Sequence, residues 1–323
     1  MDCRKFEFFL RSMSEQKNTP QAGRNEELIT GFSNRVIFGD CREVLSKLEP
    51  AFDLTFFDPP FNQNKDYLSC DDNLDESEYW AIMREICEQI YNLSSDGAAI
   101  YFMQREKNSE DVLRVLRETG WTFQNLIVWK KMTSAVPGQN RFGKAFQIIA
   151  FATKGKRPRV FNRLRIDPPL LKHYKFERER GCIVTDVWDD IRELTSGYFA
   201  GDEAIRKADG GRFHRQQSPL ALLLRIILSS SKTGDYLLDP FAGTGTTGVV
   251  AKQLERNSVG IEIDPDNAKC IEKRLAKIVK SDRIDKYFAD YKHTENLPEI
   301  WGKGALHQTD FADENPTRTL FAM

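Results

Sequence analysis

The chain has 323 residues, 40% hydrophobic and 29% charged, with 20 Gly and 13 Pro, a balance that belongs to a folded soluble protein and excludes disorder as its main state. Lys and Arg total 47 against 48 Asp and Glu, so the net charge of -1 excludes a globally basic nucleic-acid binder and leaves any such role to a local patch. The six cysteines form no CxxC pair, which argues against a thiolate zinc site, and no apolar run reaches the ~18 residues of a bilayer span; a cytoplasmic protein with no membrane partner is expected.

Residues 1–30 read as a polar extension. The first confident strand is 35–40, which ends on an acid and leads into a short helix to residue 48. A second apolar run, 53–57, meets Asp58-Pro59-Pro60-Phe61, where two prolines force the chain out of the sheet. After a loop rich in Asn, Asp and Ser come a helix over 76–93, a strand at 98–103, a helix at 108–119 and a strand at 123–129. This alternation implies a parallel sheet covered on both faces. From 130 to 180 the composition turns basic, with 14 Lys/Arg against 3 Asp/Glu and phenylalanines interleaved. Order resumes with an amphipathic helix at 220–229, a strand at 235–239, a glycine loop, a helix to 254, a strand at 258–263 and a helix from 266 to 279.

The segment from Gly243 to Gly248 follows a strand and opens a helix, so it matches GxGxxG, with Glu262 roughly 20 residues later. Glycines allow close backbone approach to a ligand, and an acid ending the next strand can accept hydrogen bonds from ribose hydroxyls. Any nucleoside cofactor could use both, a nicotinamide dinucleotide included. Asp58 narrows the choice: a carboxylate at a strand's C-terminal end, stiffened by two prolines, can accept from an exocyclic NH2, while Phe61 offers a flat face to a flipped base. A second Asp-Pro-Pro at 167–169 lacks the apolar strand before it and the aromatic after it. His173, His214, His293 and His307 are scattered, so no metal site is expected.

Taken together, these motifs resemble the S-adenosylmethionine-dependent amino-methyltransferases of DNA. That family pairs an (Asp/Asn/Ser)-Pro-Pro-(Tyr/Phe/Trp) tetrapeptide with an Asp-Pro-Phe-x-Gly-x-Gly-Thr loop, here Asp58 to Phe61 and Asp239 to Thr246. Further matching pieces are Gly39-Asp40-Cys41, the Val-Trp-Lys ending at Lys130, Val187-Trp188 with the acids after it, His214-x-x-Gln217-x-Pro219 and Ile261-Glu262, and the tetrapeptide-first order is similar to the family's beta group. The family's Gln-Lys-Pro element reads Gln217-Ser218-Pro219 here.

The resemblance implies an α/β fold, a doubly wound, mostly parallel Rossmann-like sheet with an inserted target-recognition region. It divides the chain into the 1–30 extension, a catalytic half at 31–130, the insertion at 131–213, a cofactor-binding half at 214–301 and a tail at 302–323. It assigns Asp58, Pro59, Pro60 and Phe61 to catalysis. S-adenosylmethionine would be held by Asp239, Pro240, Phe241, Gly243, Thr244, Gly245, Thr246, Glu262 and His214, with Asp40 and Cys41 at the adenine. Lys130, Arg141, Lys144, Arg157 and Arg163 are the expected phosphate contacts on double-stranded DNA. Adenine N6 is favoured over cytosine N4 because Asp opens the tetrapeptide, and the implied partners include a second copy of the chain and a cognate restriction endonuclease. Two other readings stay open on the residues: a nicotinamide-dependent oxidoreductase, and a DNA-binding subunit without activity.

Overall fold

A computed structural model describes residues 34–49, 51–63, 74–131, 139–167, 179–194, 201–207, 209–214 and 216–302. The expected 1–30 extension, most of the Asn-rich loop and all but the first residue of the 302–323 tail lie outside the described residues.

Eight strands form one sheet in the order β1 (Arg35–Phe38), β10 (Asn257–Glu262), β9 (Tyr236–Asp239), β2 (Phe52–Phe57), β3 (Ser94–Arg105), β5 (Phe146–Thr153), β4 (Thr122–Lys130) and β8 (Val187–Trp188). Every pairing is parallel except the two made by β5, which runs against both β3 and β4. The short strands β6 (Arg165–Ile166) and β7 (Cys182–Ile183) pair outside this sheet.

The central strands are apolar on both sides, and their alternation divides the interior into two cores. Leu54, Phe56, Tyr101, Met103, Ile149 and Phe151 point to one face, where α4 (Leu220–Ser230), α5 (Thr246–Gln253) and α6 (Pro265–Ala276) cover them. Phe52, Phe57, Ile100, Phe102, Ile148 and Ala150 point to the other, under α1 (Cys41–Leu45), α2 (Glu76–Leu93) and α3 (Ser109–Glu118). The helices follow the usual chemistry. In α2, Asp75 caps the first turn through Ser77 N, and Tyr79, Met83, Ile86, Ile90 and Leu93 form the buried stripe. In α6, Asp264 accepts from Asp266 N and Asn267 N ahead of Pro265.

The Rossmann-like α/β architecture expected from sequence is present, with one difference. Within the stretch expected as an insertion, Phe146–Thr153 is an interior strand of the main sheet. Its apolar run from Ile148 to Ala152 is buried by the neighbouring strands and by both cores. Composition drew attention to the charges around this run rather than to the run itself.

Crossovers from β2 through α2 and from β9 through α5 leave in opposite directions along the sheet, so β2 and β9 flank the point where strand order reverses. Open α/β sheets bind ligands in the crevice above that point, at the carboxyl ends of the strands.

Candidate functional site

Asp58 and Asp239 stand at this crevice, one just past the end of β2 and the other at the end of β9, and the two strands are paired through Leu54–Leu237 and Thr55–Leu238. Segments some 180 positions apart in sequence therefore converge. Beyond Asp58 the two prolines turn the chain, and the turn is clamped from below. Tyr79 Oη donates to the Pro60 carbonyl at 2.8 Å and accepts from Gln104 Nε2 at 2.8 Å. That clamp occupies the Pro60 carbonyl. Among the described residues no backbone N–H donates to the Pro59 carbonyl.

The glycine loop is built differently, because its own acids are used to hold it. Asp239 accepts from Thr247 Oγ1 at 2.5 Å and from Phe241 N at 3.2 Å across Pro240, so it braces the loop rather than facing a ligand with a free carboxylate. Ala242 N reaches over to Ile261 O at 2.9 Å, and the loop can lie that close to β10 because residue 260 is glycine: a Cβ there would stand 2.9 Å from Ala242 Cβ. Gly245 opens α5 with φ +79°, and a Cβ on it would meet Ile271 at 2.8 Å. Glu262 receives Gly243 N at 2.7 Å on one oxygen and Asp264 N at 2.8 Å on the other. From α6, Arg274 donates to the Thr244 carbonyl at 2.5 Å while gripping Asp282 through two bonds of 2.7 and 3.0 Å.

These residues fit a nucleoside-sulfonium cofactor on several counts. The loop presents backbone rather than side chains, and Thr246 Oγ1 is buried without a partner at its end. Glu262 keeps lone pairs beyond its two backbone bonds. Phe38, at the end of β1 and in register with Glu262, is 61% exposed, and Ile263 is exposed beside it, so an apolar rim awaits a flat ring. His214 borders Gly243, with Nδ1 accepting from Gln216 N at 3.3 Å. Burial holds its imidazole below the usual histidine range, helped by Arg212 and opposed by Asp264. The Asp40 carboxylate caps α1 and is held by Arg42 through bonds of 3.2 and 2.8 Å, while Cys41 is buried. Cys41 is 8% exposed, and Phe38 beside it 61%. Phe61 is 4% exposed and packed in the core with Leu54, Phe56 and Trp129, so the open flat face expected of it is covered.

Around Asp58 the electrostatics are one-sided. Burial, then Asp239, push its carboxyl up to about 8, against the opposing pull of Lys131 and of Ser218, whose Oγ donates at 3.3 Å. Lys131 is driven down to about 7 by burial, opposed by Glu193 and Asp58, and its Nζ sits 3.1 Å from the centroid of the Trp129 ring. Burial likewise raises Asp239 to about 6 and Glu262 to about 7. Once ionised, such a weakly solvated carboxylate can accept a hydrogen of an amine and hold the nitrogen as it gains positive charge. No group of three or more His, Cys, Asp or Glu able to hold a metal occurs among the described residues.

A family model described as DNA methylase, N6_N4_Mtase, matches residues 52–273. The chain belongs to the DNA methylase family. It is 30% identical over 270 residues to the Type II methyltransferase M.HinfI of Haemophilus influenzae, covering 78% of this methylase and 71% of that protein. With the Type II methyltransferase M.HpaI of Haemophilus parainfluenzae it shares 30% identity over 243 residues, 75% of this chain and 74% of the other. The fold recurs in the crystal structure of the M1.HpyAVI–SAM complex, with a TM-score of 0.52 and 23% identity over 75% of this chain and 98% of that one. It recurs also in the cytosine-N4-specific PvuII DNA methyltransferase, with a TM-score of 0.55 and 16% identity over 85% and 95%.

The basic stretch of the methylase divides into two parts, separated by β5. Lys130, Arg141 and Lys144 lie at the crevice end of the sheet, where Phe146 pairs with Lys130 and Gln147 with Arg105. Lys130 and Arg141 are exposed, and Lys144 pairs with Glu106 at 2.6 Å. Because β5 runs antiparallel, it carries the chain roughly 26 Å to the other end of the sheet before Arg157 and Arg163 appear. There Arg159 N donates to Gly97 O, its guanidinium pairs with Asp53 and Asp235, and Asn162 N donates to Ser229 O. Arg157 and Arg163 are therefore exposed on the end away from Asp58, not beside the other three. Sequence reasoning did not single out Tyr79, Gln104, Lys131, Arg274 or Phe38. Lys131 had the clearest signal, a second lysine directly after the Trp-Lys pair.

Proposed function

We propose that the protein transfers the methyl group of S-adenosylmethionine to the exocyclic amine of a base flipped from double-stranded DNA, with adenine N6 as the target. The observation that carries this reading is the carboxyl group of Asp58 at the strand-order reversal, next to a glycine loop. Bound against Gly243, Gly245 and Glu262, S-adenosylmethionine would supply a methyl carbon already activated by its sulfonium. The protein's part is geometric and electrostatic. Asp58 and the Pro59 carbonyl accept the two N–H bonds, aligning the amine lone pair with that carbon, and the carboxylate spreads the charge that develops on nitrogen. The proton leaves after transfer, and no covalent adduct with the protein is formed.

Phe241 and Thr244 would border the methionine part, Phe38 and Ile263 the adenine, and Phe61 the floor of the base pocket. Lys130, Arg141 and Lys144 would meet phosphates. A companion endonuclease, a dimeric state and a cytoplasmic location belong to the same reading; relatives named as Type II methyltransferases support the endonuclease, and among the described residues no helix is long and apolar enough to cross a membrane. Incubation with methyl-labelled cofactor and duplex DNA, followed by hydrolysis to nucleosides, tests the proposal. Label is expected in N6-methyladenine. Label in N4-methylcytosine would reassign the base, and label in neither would overturn the reading.

A further inference from the structure

Phe142 is 97% exposed, and with Phe146 it rims a shallow recess of about 420 Å³ whose other walls include Lys107, Arg141, Lys144 and Glu106. A phenylalanine held out in water amid three cations and one acid is poor design for a bare surface. The combination suits a partner that is both polyanionic and faced with flat apolar rings, which is the chemistry of a nucleic acid. Position adds to this. The recess stands at the start of β5, at the same end of the sheet as Asp58 and separated from β2 only by β3. Two strand spacings, roughly 10 Å, separate β5 from β2 across the sheet.

We propose that Phe142 is the side chain this protein inserts into the duplex at the place the flipped base has left, with Arg141, Lys144 and Lys107 holding the flanking phosphates. The inference rests on the reading of the protein as a base-flipping enzyme and names the residue that keeps the helix open. A base taken out of the stack leaves a gap that closes again unless something fills it, and an apolar wedge fills it without competing for base-pair hydrogen bonds. Lys144 would exchange its Glu106 carboxylate for a phosphate on binding.

The test is a binding comparison on a random-sequence duplex, intact or carrying one abasic site, which requires neither the recognition sequence nor cofactor. Wild type is expected to bind the abasic duplex about tenfold more tightly than the intact one, since the gap is already open. Phe142→Ala is expected to lose that preference, and Phe142→Trp to keep it. Arg141→Ala should weaken both duplexes alike and flatten the salt dependence by about one unit of slope. Equal discrimination by wild type and Phe142→Ala, or none by wild type, would overturn the proposal. So would a sedimentation shift in Phe142→Ala that accounts for its binding loss, because the ring would then belong to a contact between two copies of the chain. Failure of wild type to methylate DNA would instead sink the proposed function and leave the abasic comparison to be judged by itself.

Discussion

The two turns that meet at the crevice solve opposite problems. In the glycine loop every acid has work inside the protein: Asp239 is closed by Thr247 and Phe241 N, and Glu262 by Gly243 and Asp264. In the Asp-Pro-Pro-Phe turn the scaffold is satisfied through Tyr79 and Pro60, while Asp58 is left with one long bond from Ser218. The glycine loop is braced by its own acids, whereas among the described residues Asp58 is a buried carboxyl with Ser218 as its side-chain donor. The contrast teaches that equal-looking acids at neighbouring strand ends carry unequal roles, decided by who donates to them.

The comparison predicts its own points of failure. Asp58→Asn should lower methyl transfer by about 10²–10³-fold and leave cofactor affinity near wild type, measured by single-turnover kinetics and calorimetry. Gly245→Ala should do the reverse, because a Cβ at φ +79° meets Ile271 at 2.8 Å; a strain of roughly 1–3 kcal/mol should appear in the melting temperature and in weaker cofactor binding. Thr247→Val leaves a buried Asp239 oxygen without its donor, and a loss of about 1–3 kcal/mol is expected in denaturant titrations.

A fourth prediction uses pH. Burial raises Asp58 from 3.8 to about 8, so the folded protein holds a proton there that the unfolded chain releases. Folding stability contributed by this group therefore falls as pH rises from about 4 to about 8, and the rate of the free enzyme, which needs the carboxylate, rises through about 8. Asp58→Asn should melt higher than wild type, with the gap widening across that window. The smallest effect separates the two parts of the basic stretch. Arg141→Ala should reduce the salt slope of DNA binding by about one, and Arg157→Ala should leave it unchanged.

Much of the sheet was legible because strands and helices announce themselves by period, and the ends at Glu76, Leu93 and Asp239 agree with the pattern in the chain. The meeting of Asp58 with the glycine loop was legible from motif and order. Three things were not. The direction of β5 is set by its partners, so a run of charges that is continuous in sequence ends up on opposite ends of the fold. The capture of Asp40 by Arg42 depends on a side-chain geometry that a motif does not encode. An aromatic beside Asp58 offers a stacking face in the sequence, yet side chains from β2 and β4 close over Phe61.

Arg274 reaches from α6 into two neighbourhoods, with one nitrogen on the Thr244 carbonyl and two on Asp282 in the 3-10 turn Lys280–Asp282. A polypeptide stopped at residue 276 would carry every signature by which such an enzyme is found and yet strand a fully enclosed guanidinium. Trimming at the carboxyl side must therefore keep Asp282, together with Tyr291 and Trp301, which are buried beyond it.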